Sequence, residues 1–244
     1  MDDLSNDYTN NFPTSFHVFG IGESFKPILD KISALGYDGV STRITGPELL
    51  PSPTDEDRMV IILVDECTDS VVAAAKSFYQ AGVLTLIVSN SRIVSKTKFC
   101  DAQLVARPES MYLAVKAILE TLFTNGLIDI AFSDIHSVLR NSDFFKVFET
   151  VGNGVDGRVS DAISKIKNVL LKKEFCSVKN IIISIFFNSN INPPLNICEV
   201  QPLSEFILQF PDEVNAIWGL FRDDRVPTDE VRLTVIVSGK ELEP

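Results

Sequence analysis

With 244 residues, 45% of them apolar and 9% aromatic, the chain can bury one large core or two modest ones, and its pattern favours two small domains. A formal net charge of −11 excludes a nucleic-acid partner, which needs a clustered basic surface; the lysine-rich stretch Lys165, Lys167, Lys172, Lys173 shares its helical pattern with Asp161 and Glu174. No run approaches the roughly 20 apolar residues of a membrane span, so no membrane partner is expected.

Residues 1–14 are polar and acidic without the apolar core of a signal peptide, which reads as a disordered tail on a cytoplasmic protein. Phe16 to Ile21 is the first predicted strand. Ser24 is placed to cap the next helix, Pro27 is tolerated in its first turn, and Phe25, Ile28, Leu29, Ile32 and Leu35 form one apolar stripe ending at Gly36. Val40 to Ile44 is a second strand. Met59 to Val64, apolar throughout, is a central strand buried on both faces. Val71, Val72, Ala75, Phe78 and Tyr79 make a helix stopped by Gly82, and Val83 to Val88 and Ala102 to Ala106 are further strands. This alternation predicts a shortened Rossmann-like domain with a parallel sheet over residues 15–107.

Residues 108–125 form a central helix, apolar around much of its girth through Leu113, Val115, Ile118, Leu119, Leu122 and Phe123. From 126 to 244 the order becomes helix, strand (Lys146 to Val151), helix (159–173), strand (Ile181 to Phe187), helix, strand, strand. The last two, Asn215 to Phe221 and Val231 to Val237, flank a turn-rich stretch and are expected to pair antiparallel. A mixed α+β sheet follows for this half, and an α/β class for the chain. The cysteines, Cys67, Cys100, Cys176 and Cys198, are widely spaced with no CxxC pair and read as reduced structural thiols.

Two stretches of the second half carry a specific resemblance. Gly126 to Asp134 reads GLIDIAFSD, and Asp229 to Gly239 reads DEVRLTVIVSG. The first resembles the GLINxDFxD catalytic loop of the FtsZ/tubulin-like family, the second that family's last strand, DELRVTVVATG. Val115 to Asp134 aligns without a gap to the family's central helix and loop, and Gly219 and Asp223 also fit. The resemblance implies an FtsZ-like C-terminal domain. In the family the loop carries two carboxylates that help position the water attacking a neighbour's GTP, and it docks head to tail on the next subunit. Here the second carboxylate is Asp134, but the first falls on Ala131 and the family's asparagine on Asp129. A methyl group neither accepts a proton nor orients water.

The first half resembles the family's GTP domain only in element order, and its phosphate loops depart from the pattern. Where the family has GGGGCN, this chain has Gly20, Ile21, Gly22, Glu23, Ser24, Phe25, with a carboxylate where a phosphate would approach a helix start. Where the family has GGGTGTG, it has Asp65, Glu66, Cys67, Thr68, Asp69, Ser70, without a glycine. The guanine-contacting acid falls near Pro108 and Glu109. Gly20, Gly22, Glu23 and Ser24 are thus vestigial phosphate-loop positions. Asp65, Glu66 and Asp69 are weak candidates for Mg²⁺ or Ca²⁺, weighed against an acidic helix start capped by Thr68 or Asp69. Arg43 as a 2′-phosphate contact in an NADP enzyme lacks the third glycine of that motif. His17 and His136 read as packing residues, and Ser133 with His136 lacks an oxyanion-hole motif.

The expectation is a degenerate FtsZ/tubulin-like pseudo-GTPase with no catalytic residue and no cofactor. It would act through protein contacts at Gly126, Asp129, Ser133 and Asp134, with an FtsZ subunit or itself as partner, or with that loop as structural inheritance in which Asp134 caps the next helix. The alternatives are a divergent GTP-binding cytoskeletal protein or a small metal-dependent enzyme using the 65–69 loop. The chain ends directly after the last strand, so the family's C-terminal recruiting peptide and a membrane-attached division ring are not expected.

Overall fold

The computed structural model describes residues 15–66, 68–91, 98–154, 157–170 and 178–240. The expected N-terminal tail, Cys67, Cys176, Lys172, Lys173 and Glu174 lie outside them. Of the other cysteines, Cys100 is buried and Cys198 exposed.

In chain order the first half comprises β1 (Phe16–Ile21), α1 (Lys26–Ser33), β2 (Val40–Thr45), β3 (Met59–Val64), α2 (Asp69–Gln80), β4 (Leu84–Ser89) and β5 (Ala102–Val105). The central helix α3 (Pro108–Phe123) leads to β6 (Gly126–Ile128), α4 (Phe132–Leu139), β7 (Phe144–Asn153), α5 (Arg158–Leu170), β8 (Val178–Phe187), α6 (Ile197–Ile207), β9 (Asn215–Arg222) and β10 (Glu230–Gly239). The strands form a ten-stranded sheet in the order β2-β1-β3-β4-β5-β7-β10-β8-β9-β6.

The five strands of the first half run parallel. β3 is buried at every residue, and its pleat divides them between two cores: Met59, Ile61 and Leu63 on one face, Val60, Ile62 and Val64 on the other. Thr68 caps α2 by accepting the Val71 N–H at 3.3 Å. Ser24 does not cap α1. A short helical turn, Glu23–Phe25, intervenes, Phe25 occupies the cap position, and the Ser24 hydroxyl is directed to another loop.

β10 runs antiparallel to both its neighbours, β7 and β8, while β8 runs parallel to β9. The expected antiparallel pairing of 215–221 with 231–237 is therefore corrected, because β8 lies between them. The reason is burial: β8 is apolar on both faces and buried along its last seven residues, so it takes a central place and displaces β9 outward. The pleat of β10 follows its sequence, with Val231, Leu233, Val235 and Val237 in one core and Ile236 in another.

One face of the sheet carries a continuous core. It runs from Phe16, Ile61 and Leu86 beneath α1, α3 and α4 to Ile182, Phe186, Phe221 and Ile236 in the second half. The opposite face has two separate cores, one with Val71, Ala75 and Phe78 of α2, the other with Val159, Ala162, Ile163 and Ile166 of α5 and Leu203 and Phe206 of α6. The halves meet in the sheet through one residue pair, Gln103 with Phe144. Side-chain packing under α3, rather than a backbone ladder, supplies most of the join.

Candidate functional site

In an open parallel sheet, ligands meet the loops at the C-terminal ends of the strands. Here those loops follow β1, β3 and β4. Gly20, at the end of β1, makes room for the core: a Cβ there would lie 2.6 Å from Phe25 Cβ. Gly22 has φ +107, which favours glycine. Glu23 is exposed beside it. Asp65, directly after β3, accepts a hydrogen bond from Ser24 Oγ at 2.9 Å on one oxygen and from Asn90 Nδ2 at 2.7 Å on the other. The three loops are thus joined through one carboxylate. Glu66 in the same loop and Asp69, the first residue of α2, are exposed, and among the described residues no group of three or more His, Cys, Asp or Glu is placed to hold a metal. Arg43 is exposed on the edge strand β2.

The 126–134 segment is only partly a loop, since Gly126–Ile128 is the edge strand β6, paired antiparallel with β9. Gly219 of β9 permits the approach, because a Cβ there would sit 2.9 Å from the Ile128 carbonyl oxygen. Asp129 Oδ1 accepts the Gly126 N–H at 3.0 Å, and a Cβ on Gly126 would collide with that same oxygen. Asp134 Oδ2 accepts the N–H of Ala131, the residue preceding α4, at 2.9 Å. A carboxylate in the first turn also complements the helix dipole. Both acids therefore hold backbone with one oxygen. Around them Leu127 and Ile128 are 53% and 40% exposed, and Ser133 is exposed.

His17 joins three segments, with Nδ1 2.7 Å from Ser41 Oγ on β2 and Nε2 2.8 Å from Asp57 Oδ1. Burial opposes ionisation of Asp57, but the Thr54 N–H and His17 outweigh it and hold the carboxyl below its ordinary value. His136 lies half-buried beside Phe132, and burial, then the Arg140 charge, holds its imidazole below the usual value.

A third cluster eludes sequence reading. Glu120 of α3 is fully buried, yet it accepts from Arg225 Nη2 at 2.7 Å and Arg232 Nη1 at 2.6 Å. Arg232 also donates to Glu149 at 2.9 Å and Asp223 at 2.7 Å, and its guanidinium lies 4.2 Å from the centre of the Phe186 ring. Lys116 completes the set at 3.1 Å from Glu149. Burial works against ionised Glu149 and Asp223, but hydrogen bonds and charge from Arg232 on the first and Arg225 on the second hold both below their ordinary values. The available signal was Glu120 set among Ile118, Leu119, Leu122 and Phe123, one turn after Lys116.

No protein-family model matches the chain. A stretch of 162 residues, 65% of this chain, is 24% identical to the cell division protein FtsZ of Porphyromonas gingivalis (strain ATCC BAA-308 / W83), and the match covers 35% of that protein. An FtsZ mutant from M. jannaschii superposes with a TM-score of 0.71 over 93% of this chain and 91% of its own, at 15% identity. The chain has an FtsZ/tubulin-like fold. An empty FtsZ dimer from M. jannaschii gives a TM-score of 0.67 at 15% identity, over 95% of this chain and 90% of its own. TubZ of Bacillus thuringiensis serovar israelensis, in a GTPγS-form protofilament, gives 0.61 at 9% identity, over 95% and 88%. In this FtsZ/tubulin-like chain the Asp65 crevice and α4 lie at opposite ends of the parallel strands: α4 packs near their N-terminal ends, where Phe132 meets Phe16 and Arg140 Nη1 donates to the Gly82 carbonyl at 2.8 Å. No helix among the described residues is long and apolar enough to cross a membrane.

Proposed function

We propose that this is an FtsZ/tubulin-like protein of cytoskeletal ancestry that neither binds nor hydrolyses GTP and acts through protein contacts made by its 126–134 face. The observation that carries the reading is the Asp65 carboxylate held between Ser24 and Asn90 at the mouth of the crevice. A phosphate group needs converging N–H donors and close backbone approach. The residues present do not fit one. The loop after β3 offers Asp65, Glu66 and Asp69 with no glycine, and the loop after β1 adds Glu23. Two like charges about 4 Å apart repel by about 4 kcal/mol near a protein surface, and a triphosphate there would meet several such contacts. At the other end, Ala131 supplies a methyl group where the family has a carboxylate, and Asp134 is engaged with the Ala131 N–H.

Thermal unfolding with GTP or GDP, with and without Mg²⁺, tests this reading. A ligand at 100 times its Kd stabilises by about 2.7 kcal/mol, which moves Tm by about 5–10 °C in a chain of this size. The expected result is no shift; a saturable rise with GTP would favour a divergent GTP-binding relative instead.

The partner we propose is an FtsZ-type filament, capped by docking of the 126–134 face on the nucleotide-bearing end of its last subunit. Light scattering of FtsZ with GTP should fall as this chain is added in equimolar amount. Unchanged assembly and GTP turnover would leave Asp134 as a helix cap alone.

A further inference from the structure

A cavity of about 480 Å³ opens at the N-terminal ends of β1, β3 and β4, the end of the molecule where α4 packs. Phe132 and His136 of α4 line one part of it, and Asp55, Glu56, Asp57 and Arg58 line another. Three carboxylates therefore face one lining guanidinium. Asp55 and Glu56 are exposed, and Asp57 is already tied to His17 and Thr54. His136 does not offset the excess near neutral pH, because burial and Arg140 disfavour its cationic form. Arg140 itself is occupied: it donates to the Gly82 carbonyl, which also lines the cavity, and pairs with Asp101 at 3.6 Å. Ser15 lines the cavity too; it is 2% exposed, and its hydroxyl has no hydrogen-bond partner among the described residues. The segment leading into α4 adds Asp129 and the exposed Leu127 and Ile128, the first turn of α4 adds Asp134, and residues 121–139 contain no lysine or arginine.

We infer that this cavity receives an arginine side chain presented by a docking protein, its guanidinium among Asp55, Glu56 and Asp57 and against the Phe132 ring. The chemistry selects the ligand. A planar guanidinium matches carboxylates in pairs and stacks on an aromatic face, so it uses both kinds of wall, whereas an ammonium uses chiefly the charge. The exposed Leu127 and Ile128 call for apolar residues flanking that arginine. The inference rests on the reading of this end as a contact face, and it names the chemistry the partner must bring.

The test is an NMR titration of the full chain with two probes, agmatine and a blocked Leu-Arg-Leu tripeptide, followed at the His136 and Phe132 ring resonances. The tripeptide should give saturable shifts, weakened about ten-fold by Asp55→Asn with Glu56→Gln and unchanged by Asp65→Asn at the opposite end. Arg58→Gln, which removes the resident cation, should tighten binding. Shifts that never saturate, that match sodium chloride at equal ionic strength, or that persist in the double variant would overturn the site. Agmatine binding as tightly as the tripeptide would overturn the protein source, and weaker binding of the tripeptide to Arg58→Gln would overturn the carboxylate wall as its seat. A GTP-induced rise in Tm would defeat the proposed function while leaving this titration intact, so the two failures are distinguishable.

Discussion

At the crevice, Asp65 meets Ser24 and Asn90 through exposed hydrogen bonds, whereas at the central helix Glu120 is sealed from water between two guanidiniums. The crevice loops come from three strands of one half; the buried cluster joins α3 to β7, β10 and the turn after β9. The contrast separates two uses of charge. Buried and mutually paired, it fixes how α3 sits on the sheet. Exposed and hydrogen-bonded by neutral donors, it closes a loop region at little energetic consequence.

The sharpest way to break that contrast is to remove one partner from the buried set. Glu120→Ala leaves Arg232 buried with a missing acceptor and should cost about 3–5 kcal/mol, read from urea unfolding. Acid should act on the same cluster. The folded-state pKa values of Glu149 and Asp223 lie below their ordinary values of 4.5 and 3.8, so their stabilisation is present above those values and lost as pH falls through the folded ones. These two groups should therefore add no slope from pH 7 to about 5, where only a shallow loss from His136, held below its ordinary 6.5, is expected; the steeper fall should begin below about 4.5 and be less steep in Glu149→Gln. Gly152→Ala places a Cβ against the Arg158 carbonyl where α5 meets β7, and should cost about 1–3 kcal/mol. Removing the α2 cap with Thr68→Ala should cost about 1 kcal/mol. Smallest of all, Ser24→Ala at the crevice should change stability by no more than about 0.5 kcal/mol; a loss of 2 or more would erase the distinction drawn between the two clusters.

Strand and helix positions were legible because period and burial coincide: β3 reads as a two-faced core strand, and it is one. What alternation cannot show is which strand lies next to which. Val231 and Leu233 announce their face, but nothing in the 215–222 stretch announces that β8 stands between it and β10. Ser24 illustrates a related limit. Its type and position suit a helix cap, yet a partner 41 residues away, Asp65, takes its hydroxyl. Glu120 and Arg232 are 112 residues apart, and only the fold brings them within 2.6 Å. The Asp55, Glu56 and Asp57 wall was equally hidden, because its other side comes from α4.

The strand ladder between β5 and β7 is a single residue pair, Gln103 with Phe144, flanked by side-chain bonds such as Asp101 to the Asn141 N–H, while the apolar layer beneath α3 crosses it without a break. Backbone ladders resist shear along a sheet, whereas packed side chains slide under load. A pulling force directed along the strands, in opposite senses on the two halves, should therefore part the molecule at that line and leave the strand ladders of each half intact.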